Sequence, residues 1–513
     1  MNEPFDLTKA VEYGRLLREH ILADKDRPGY HFVIPEDTAL PGDPNAAFYA
    51  NGRYHLMYLY YCVSDGCRYG HMSSIDMVHW HSHPDALGPD DLDGGIYSGG
   101  AFVDDDGTVW ISYRGLGCEA NGGKDGIRLA YSRDIENHYE TWTKCDDYAI
   151  PAEEYGMSHI TLADGSVYHL GVSDPSNIWK DGNDYYMQSG AYHVLHRYGV
   201  DKGDDPAYKG DFTELFRSKD LKTWEYLHRF CERTAGVGDT QDDEDHMCPS
   251  FFPLPTSPDG GEPSDTYLEL FISHNHGCQY YIGDYDRGRQ VFVPKRHARM
   301  TKVDNTYFAP EALMAPDGRQ ILWSWLLDNR PYELRDYGWT GVYGLPRSLW
   351  LRRDGSLGIE PIKELTCLRY NERPFTDGMR SLSCEIKLTC QLNGAARVGF
   401  KVKAAADDSE FTLVYYDREA KELVFDATNA SVSRAFGRCV IERLPLELEN
   451  GEPLSLRLFI DKPVVEIFAN GKQAITRRVY TDSHDSRHIS LITEPCVSIS
   501  ELTVWDMMPS NMY

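Results

Sequence analysis

Apolar and polar residues alternate in short runs along most of this chain, the period of strands that bury one face, and sustained helical periodicity is missing between Tyr30 and about Trp350. The alternating run Tyr54 to Tyr58 follows an Asn-Gly pair at Asn51-Gly52, and both turn residues tolerate the positive φ that a tight hairpin demands. An Asp-Pro pair, Asp43-Pro44, stands just before it. The layout returns as Asp174-Pro175, Asp181-Gly182 and the run Tyr185 to Gln188, then as Cys248-Pro249, Asp259-Gly260 and Tyr267 to Ser273. It returns again as Ala309-Pro310, Asp317-Gly318 and Ile321 to Trp325. A fifth copy keeps Asp106-Gly107 before Val109 to Tyr113, with Ser98-Gly99 in place of the X-Pro pair. Five hairpin units at spacings of roughly 55 to 80 residues predict a five-bladed β-propeller, because solenoid repeats are shorter and more even.

In such a ring the residue that opens the innermost strand of a blade points at the central axis, so Asp43 and Asp174 are expected to meet. An Asp-Pro pair at a strand entrance is an ordinary turn element taken alone. Here two occupy matching blade positions, each followed by a polar residue (Asn45, Ser176) and, three residues further, an aromatic one (Phe48, Trp179). Two facing carboxylates are the equipment of glycoside hydrolysis: close together one is a nucleophile, further apart one activates water.

Outside the repeats, Asp6 is placed to cap a short helix through about Leu22, with Val11, Leu16, Leu17 and Ile21 on one side packing against the outside of the ring. Beyond the last hairpin, Glu410 to Tyr416, Leu454 to Ile460, Val464 to Ala469 and Ile499 to Val504 alternate as half-buried antiparallel strands do. The expected organisation is all-β: a helix over 1–25, a five-bladed β-propeller over 26–360, a linker over 361–375 and a C-terminal β-sandwich over 376–513.

Composition narrows the function. With 52 Lys plus Arg against 80 Asp plus Glu the net charge is −28, which argues against nucleic acid as a partner and leaves a neutral, hydroxyl-rich ligand acceptable. No apolar run is long enough to span a membrane, and the first residues lack a basic then apolar leader, so a cytoplasmic protein without a membrane partner is expected. The twelve cysteines are scattered with no CxxC pair, as reduced thiols are. His274-Asn-His276 would put two imidazoles on one side of a strand, yet no third ligand accompanies them; hydrogen bonding to sugar or backbone is expected there, and no metal.

The chain resembles glycoside hydrolase family 32, the β-fructosidases. Arg27-Pro-Gly-Tyr-His-Phe32 and Asp43-Pro-Asn45 look like the family's opening, and Asp76-Met-Val-His-Trp80, Tyr97-Ser-Gly-Gly-Ala101, Phe308-Ala-Pro310, Gly338-Trp339 and Leu345-Pro-Arg347 follow in its order. Val464-Val-Glu-Ile-Phe-Ala-Asn470 is similar to the signature of its C-terminal sandwich. The resemblance implies Asp43 as nucleophile, Asp174 as transition-state stabiliser, and substrate contacts from Asn45, Tyr69, Ser98, Ser173, His246 and Trp339. It implies no cofactor and a small carbohydrate substrate; a homo-oligomer is compatible with it.

The departures are specific. Where the family carries Trp-Glu-Cys-Pro this chain reads His246-Met247-Cys248-Pro249, so Met247 holds the place of the acid. Glu244 and Asp245 lie just upstream, and a local bulge would return one of them to the axis; the longer Glu244 is favoured, with Asp245 the competitor. The acidic run Asp242 to Asp245 would help raise the pKa of such an acid. Ser173, Gly42 and Leu59 replace the family's usual arginine, asparagine and glutamine, which points to an altered subsite. The expected activity is retaining hydrolysis that releases fructose from small fructosides. An arabinoside- or xyloside-acting hydrolase, a fructosyltransferase and a carbohydrate-binding protein without turnover are the alternatives.

Overall fold

The computed structural model describes residues 7–24, 26–35, 41–62, 66–328, 330, 341–434 and 439–511. Each expected hairpin strand forms and runs a little past its apolar core: Arg53–Cys62, Val109–Leu116, Asp184–Gly190, Pro263–Ser273 and Gln320–Leu326. Asn51 and Gly52 both take positive φ, 48° and 76°, the conformation for which those residue types were read as a turn.

These strands lie in five antiparallel sheets that follow one another along the chain, within 44–87, 95–152, 179–232, 247–299 and 307–361, with a separate hairpin pairing Met157–Thr161 and Val167–Gly171. Consecutive sheets are tied by hydrogen bonds. Ala46 N–H donates to the Gly99 carbonyl at 3.2 Å, Ser112 Oγ to the Ser176 carbonyl at 2.7 Å, and Asn177 exchanges bonds of 3.1 and 2.8 Å with the Phe251 backbone. Gly261 N–H donates to the Asp317 carbonyl at 2.9 Å, and Ala47 N–H closes the circuit on Glu311 Oε1 at 2.6 Å. The fifth sheet is completed from the far end of the chain, because Val33 bridges Val342 and Tyr343 N–H donates to the Phe32 carbonyl at 2.9 Å.

The first strand of three sheets carries the same defect. Pro44–Ala50, Met247–Pro255 and Tyr307–Met314 each shift register near their start, and Ala46, Cys248 and Ala309 take φ of 45°, 50° and 45°. Such bulges turn the strand and re-aim the side chains around them.

Two six-stranded sheets follow, packed over a core that includes Ile386, Leu388, Phe400, Leu456, Leu458, Ile467 and Val504. Of the segment read as a linker, Lys363–Leu368 forms a 3₁₀ turn and Arg369–Pro374 already pairs with Ser498–Met507 in this sandwich. His31 joins the two parts: its Nδ1 meets Asp461 Oδ2 at 3.0 Å and its Nε2 meets Glu466 Oε1 at 3.1 Å, all fully buried. Glu466 also binds Arg347 of the fifth sheet at 3.1 Å. The helix spans Leu7–Ala23, but Val11 and Leu16 stand exposed instead of packing on the sheets; the Asp6 cap and the Leu17 and Ile21 side chains lie outside the described residues. Among the described residues no helix is long and apolar enough to cross a membrane, and the cysteines from Cys67 to Cys496 are free thiols.

Candidate active site

Asp43 and Asp174 occupy equivalent places. The Asp43 carbonyl accepts from Leu59 N–H at 2.9 Å and the Asp174 carbonyl from Gly190 N–H at 3.1 Å, which pins the backbone of each residue at the mouth of its sheet. Both are buried, and the two charges act on each other. Ser98 Oγ donates to Asp43 Oδ2 at 2.6 Å, while Asp43 Oδ1 has no hydrogen-bond partner among the described residues. Burial pushes the Asp43 carboxyl up to about 6; the Ser98 hydrogen bond opposes that rise and the Asp174 charge adds to it. Burial likewise raises Asp174, against the pull of the Arg114 guanidinium and His274.

Cys248, turned by its bulge, donates its thiol to Asp174 Oδ2 at 3.5 Å. Tyr69 is fully buried beside the pair and donates its hydroxyl to the Tyr97 carbonyl at 2.8 Å. Asn45 acts on the backbone: its Nδ2 donates to the Asp43 carbonyl at 2.9 Å and its Oδ1 accepts from Gly99 N–H at 3.0 Å, so it shapes the Asp43 loop. Ser173 is buried next to Asp174, its Oγ without a partner among the described residues.

Four expectations meet a different outcome. Glu244 does not join the centre: Arg299 grips both its oxygens at 2.8 and 2.9 Å and Gln279 donates to it at 3.0 Å, and these partners outweigh burial and hold its carboxyl below the usual range. A carboxyl so held is a poor proton donor. His246 is a core residue, stacked on Phe271 at 3.9 Å and bonded to Glu269 at 2.9 Å with no exposed surface, so it cannot touch a substrate from there. The expected pair of imidazoles on one face of a strand is instead a turn over residues 274–276 between two strands, with His274 bonded to Asp245 and His276 4.0 Å from Glu244. Nor do Asp242 and Asp243 crowd the centre; both are exposed, Asp242 paired with Arg233. Trp339 lies outside the described residues.

Asp245 does reach the centre, through His274. Its Oδ1 accepts from the His274 N–H at 3.0 Å and its Oδ2 faces His274 Nδ1 at 2.7 Å. Met247 fills its own space as an apolar side chain, packed so closely on Gly190 that a Cβ there would sit 2.5 Å from its Sδ. A residue that the sequence motifs did not single out is Arg114, held by Asp125 at 3.0 Å and His193 at 2.9 Å, whose charge reaches Asp174 from the second sheet. Among the described residues one cluster has metal-ligand spacing, Asp76, His79 and Cys367. It lies at the surface, and Ser74, Val78 and His79 already occupy the Asp76 carboxylate.

Two family models divide the chain between them: glycosyl hydrolases family 32 N-terminal domain matches residues 33–361 and glycosyl hydrolases family 32 C terminal matches 363–506. The chain belongs to glycosyl hydrolase family 32. Among its family-32 relatives are the sucrose-6-phosphate hydrolase of Zymomonas mobilis, 26% identical over 99% of this chain and 97% of that one, and the raffinose invertase of Escherichia coli, 28% identical over 90% and 91%. The crystal structure of fructan 1-exohydrolase IIa from Cichorium intybus superposes with a TM-score of 0.77 at 20% identity, covering 95% of this chain and 98% of that one. Family membership makes the chain a glycoside hydrolase, and its two parts match the N-terminal and C-terminal models of the family.

Proposed function

We propose that this family-32 protein is a retaining β-fructosidase for small fructosides, with its five sheets as the blades of a five-bladed propeller. The relatives named above act, by their names, on sucrose 6-phosphate, raffinose and fructan, three compounds with a fructosyl unit in common. In this reading Asp43 Oδ1 attacks the anomeric carbon of that unit, Oδ2 stays on Ser98, and the ester so formed is opened by water with retention. Asp174 binds sugar hydroxyls as positive charge develops on the ring. Arg114 takes over the charge that an arginine at Ser173 would bring, from a different strand. Cytoplasmic location, free thiols and a substrate small enough to be imported belong together in this reading.

The observation that carries the proposal is the pair itself: two buried carboxylates at equivalent sheet mouths, one with an oxygen fixed and an oxygen free. The test is chromatography of free fructose after incubation with sucrose, sucrose 6-phosphate, short inulin and levan oligosaccharides, with an aryl arabinofuranoside as control. Fructose from at least one fructoside, lost in Asp43→Asn, is the expected result. Arabinose release alone would replace the substrate class, and no release from a folded protein would end the reading.

A further inference from the structure

A fructoside with a sugar leaving group needs a proton donor at the departing oxygen, and the place where the family keeps its glutamic acid holds Met247, which cannot donate. Glu244 is locked in its pair with Arg299, and Asp245, 2% exposed, has both oxygens turned onto His274. What the chain presents to the centre at this point is the His274 imidazole, with 46% of its side-chain surface open. No hydrogen bond engages its Nε2 among the described residues, and its ring lies 4.7 Å from Tyr192 and 5.8 Å from Phe308, centroid to centroid.

We propose that the proton donor of this enzyme is the His274 imidazolium, with Asp245 as the positioning residue that fixes its tautomer and charge. The inference rests on the fructosidase reading above. The groups that face the ring are Asp245 just before its own sheet, Asp174 before the third, Asp43 before the first, and His193 with Arg114 behind it. Partial burial works against the charged ring, but the hydrogen bond to Asp245 and the charges of Asp245, Asp174 and Asp43 outweigh it and hold its pKa above the ordinary histidine value. The same carboxylates therefore favour the charged form of the ring.

The step balances without a further reactant. As Asp43 Oδ1 forms its bond to the anomeric carbon, the bond to the leaving oxygen breaks and its electron pair takes the proton from His274 Nε2. A neutral imidazole remains, its Nδ1–H still on Asp245. Water then attacks the same carbon, gives its proton to Nε2, and the ester electron pair returns to Asp43.

The experiment compares wild type, His274→Asn and Asp245→Asn on sucrose, a poor leaving group, and on an aryl β-fructofuranoside, whose phenolate leaves unaided. His274→Asn should lose about 10²–10⁴-fold in kcat on sucrose and far less on the aryl substrate. Asp245→Asn should move the alkaline limb of the pH profile, and the imidazole titration followed by NMR in the unliganded protein, to lower pH. Wild-type rates in His274→Asn, or equal losses on both substrates, would overturn the assignment while leaving the fructosidase reading intact. A larger leaving-group effect in Asp245→Asn than in His274→Asn would also overturn it, in favour of Asp245. Failure of the wild type to release fructose from any substrate would overturn both.

Discussion

Ser98 Oγ lies 2.6 Å from Asp43 Oδ2, and among the described residues it is the one side chain that donates to that carboxylate. A hydrogen bond to an ionised group is worth about 1.5–3 kcal/mol, enough to move a pKa by about one unit or more. Ser98→Ala should therefore shift the acidic limb of kcat/KM upward from about pH 6. The loss of rate will be larger at pH 5.5 than at pH 7.5, where more of the variant's Asp43 is ionised. A pH-independent loss would mean that Ser98 only packs.

Asp43 also weighs on stability. Its carboxyl titrates near 6 in the folded protein against 3.8 when exposed, so folding disfavours the charged form, and wild type loses stability as pH rises from about 4 through 6. Asp43→Asn removes that penalty. The variant should be inactive yet more resistant to heat or urea by about 1–3 kcal/mol at pH 7.5, with the advantage gone below pH 4.

Glu244 separates an acid from an ion pair. Glu244→Gln leaves the largely buried Arg299 guanidinium with the exposed Asp239 as its remaining countercharge and should destabilise the protein, by less than the about 3–5 kcal/mol of an uncompensated buried charge. The kcat of the protein that remains folded should be unchanged on sucrose. A selective loss on poor leaving groups would instead restore Glu244 as the donor.

At the junction of the two parts, burial opposes a charge on His31, but Asp461 and Glu466 overcome it and lift its pKa to about 9. A histidine raised in this way contributes stability fully below its ordinary value near 6.5, and the contribution is lost as pH rises through about 9. The thermal midpoint of wild type should fall across that window, by an amount corresponding to about 3 kcal/mol. His31→Gln should start lower and show no such fall.

The hairpins and the sandwich were readable because local signals and tertiary structure agree. Asn51-Gly52 has the φ angles its residue types allow, and Val464–Ala469 has the bounds expected of it, although all six of its residues are buried where a half-buried strand was expected. The equivalent placement of Asp43 and Asp174 was readable because one motif repeats at one position of two sheets. The donor was not. Glu244 looked better placed than Asp245 by reach alone, and nothing local announces Arg299, 55 residues away, which claims it. His246 is settled by Phe271 and Glu269, two strand neighbours that only folding brings to it. For His274 a signal existed: Asn275 and Gly277 mark a turn, and Gly277 takes φ of 68°. Read as a turn, the segment would have lifted His274 off the strand and toward the carboxylates.

The pairing of Val33 with Val342 sets an order of events during synthesis. Asp43 leaves the ribosome early, but the strand that seals the fifth sheet to the segment before it is made some 300 residues later, roughly 15–60 s at ordinary elongation rates. His31 waits longer still, for Asp461 and Glu466. Throughout that interval the nascent chain carries Asp43 on a first sheet whose partners across the Val33–Val342 bridge and the His31 junction do not yet exist.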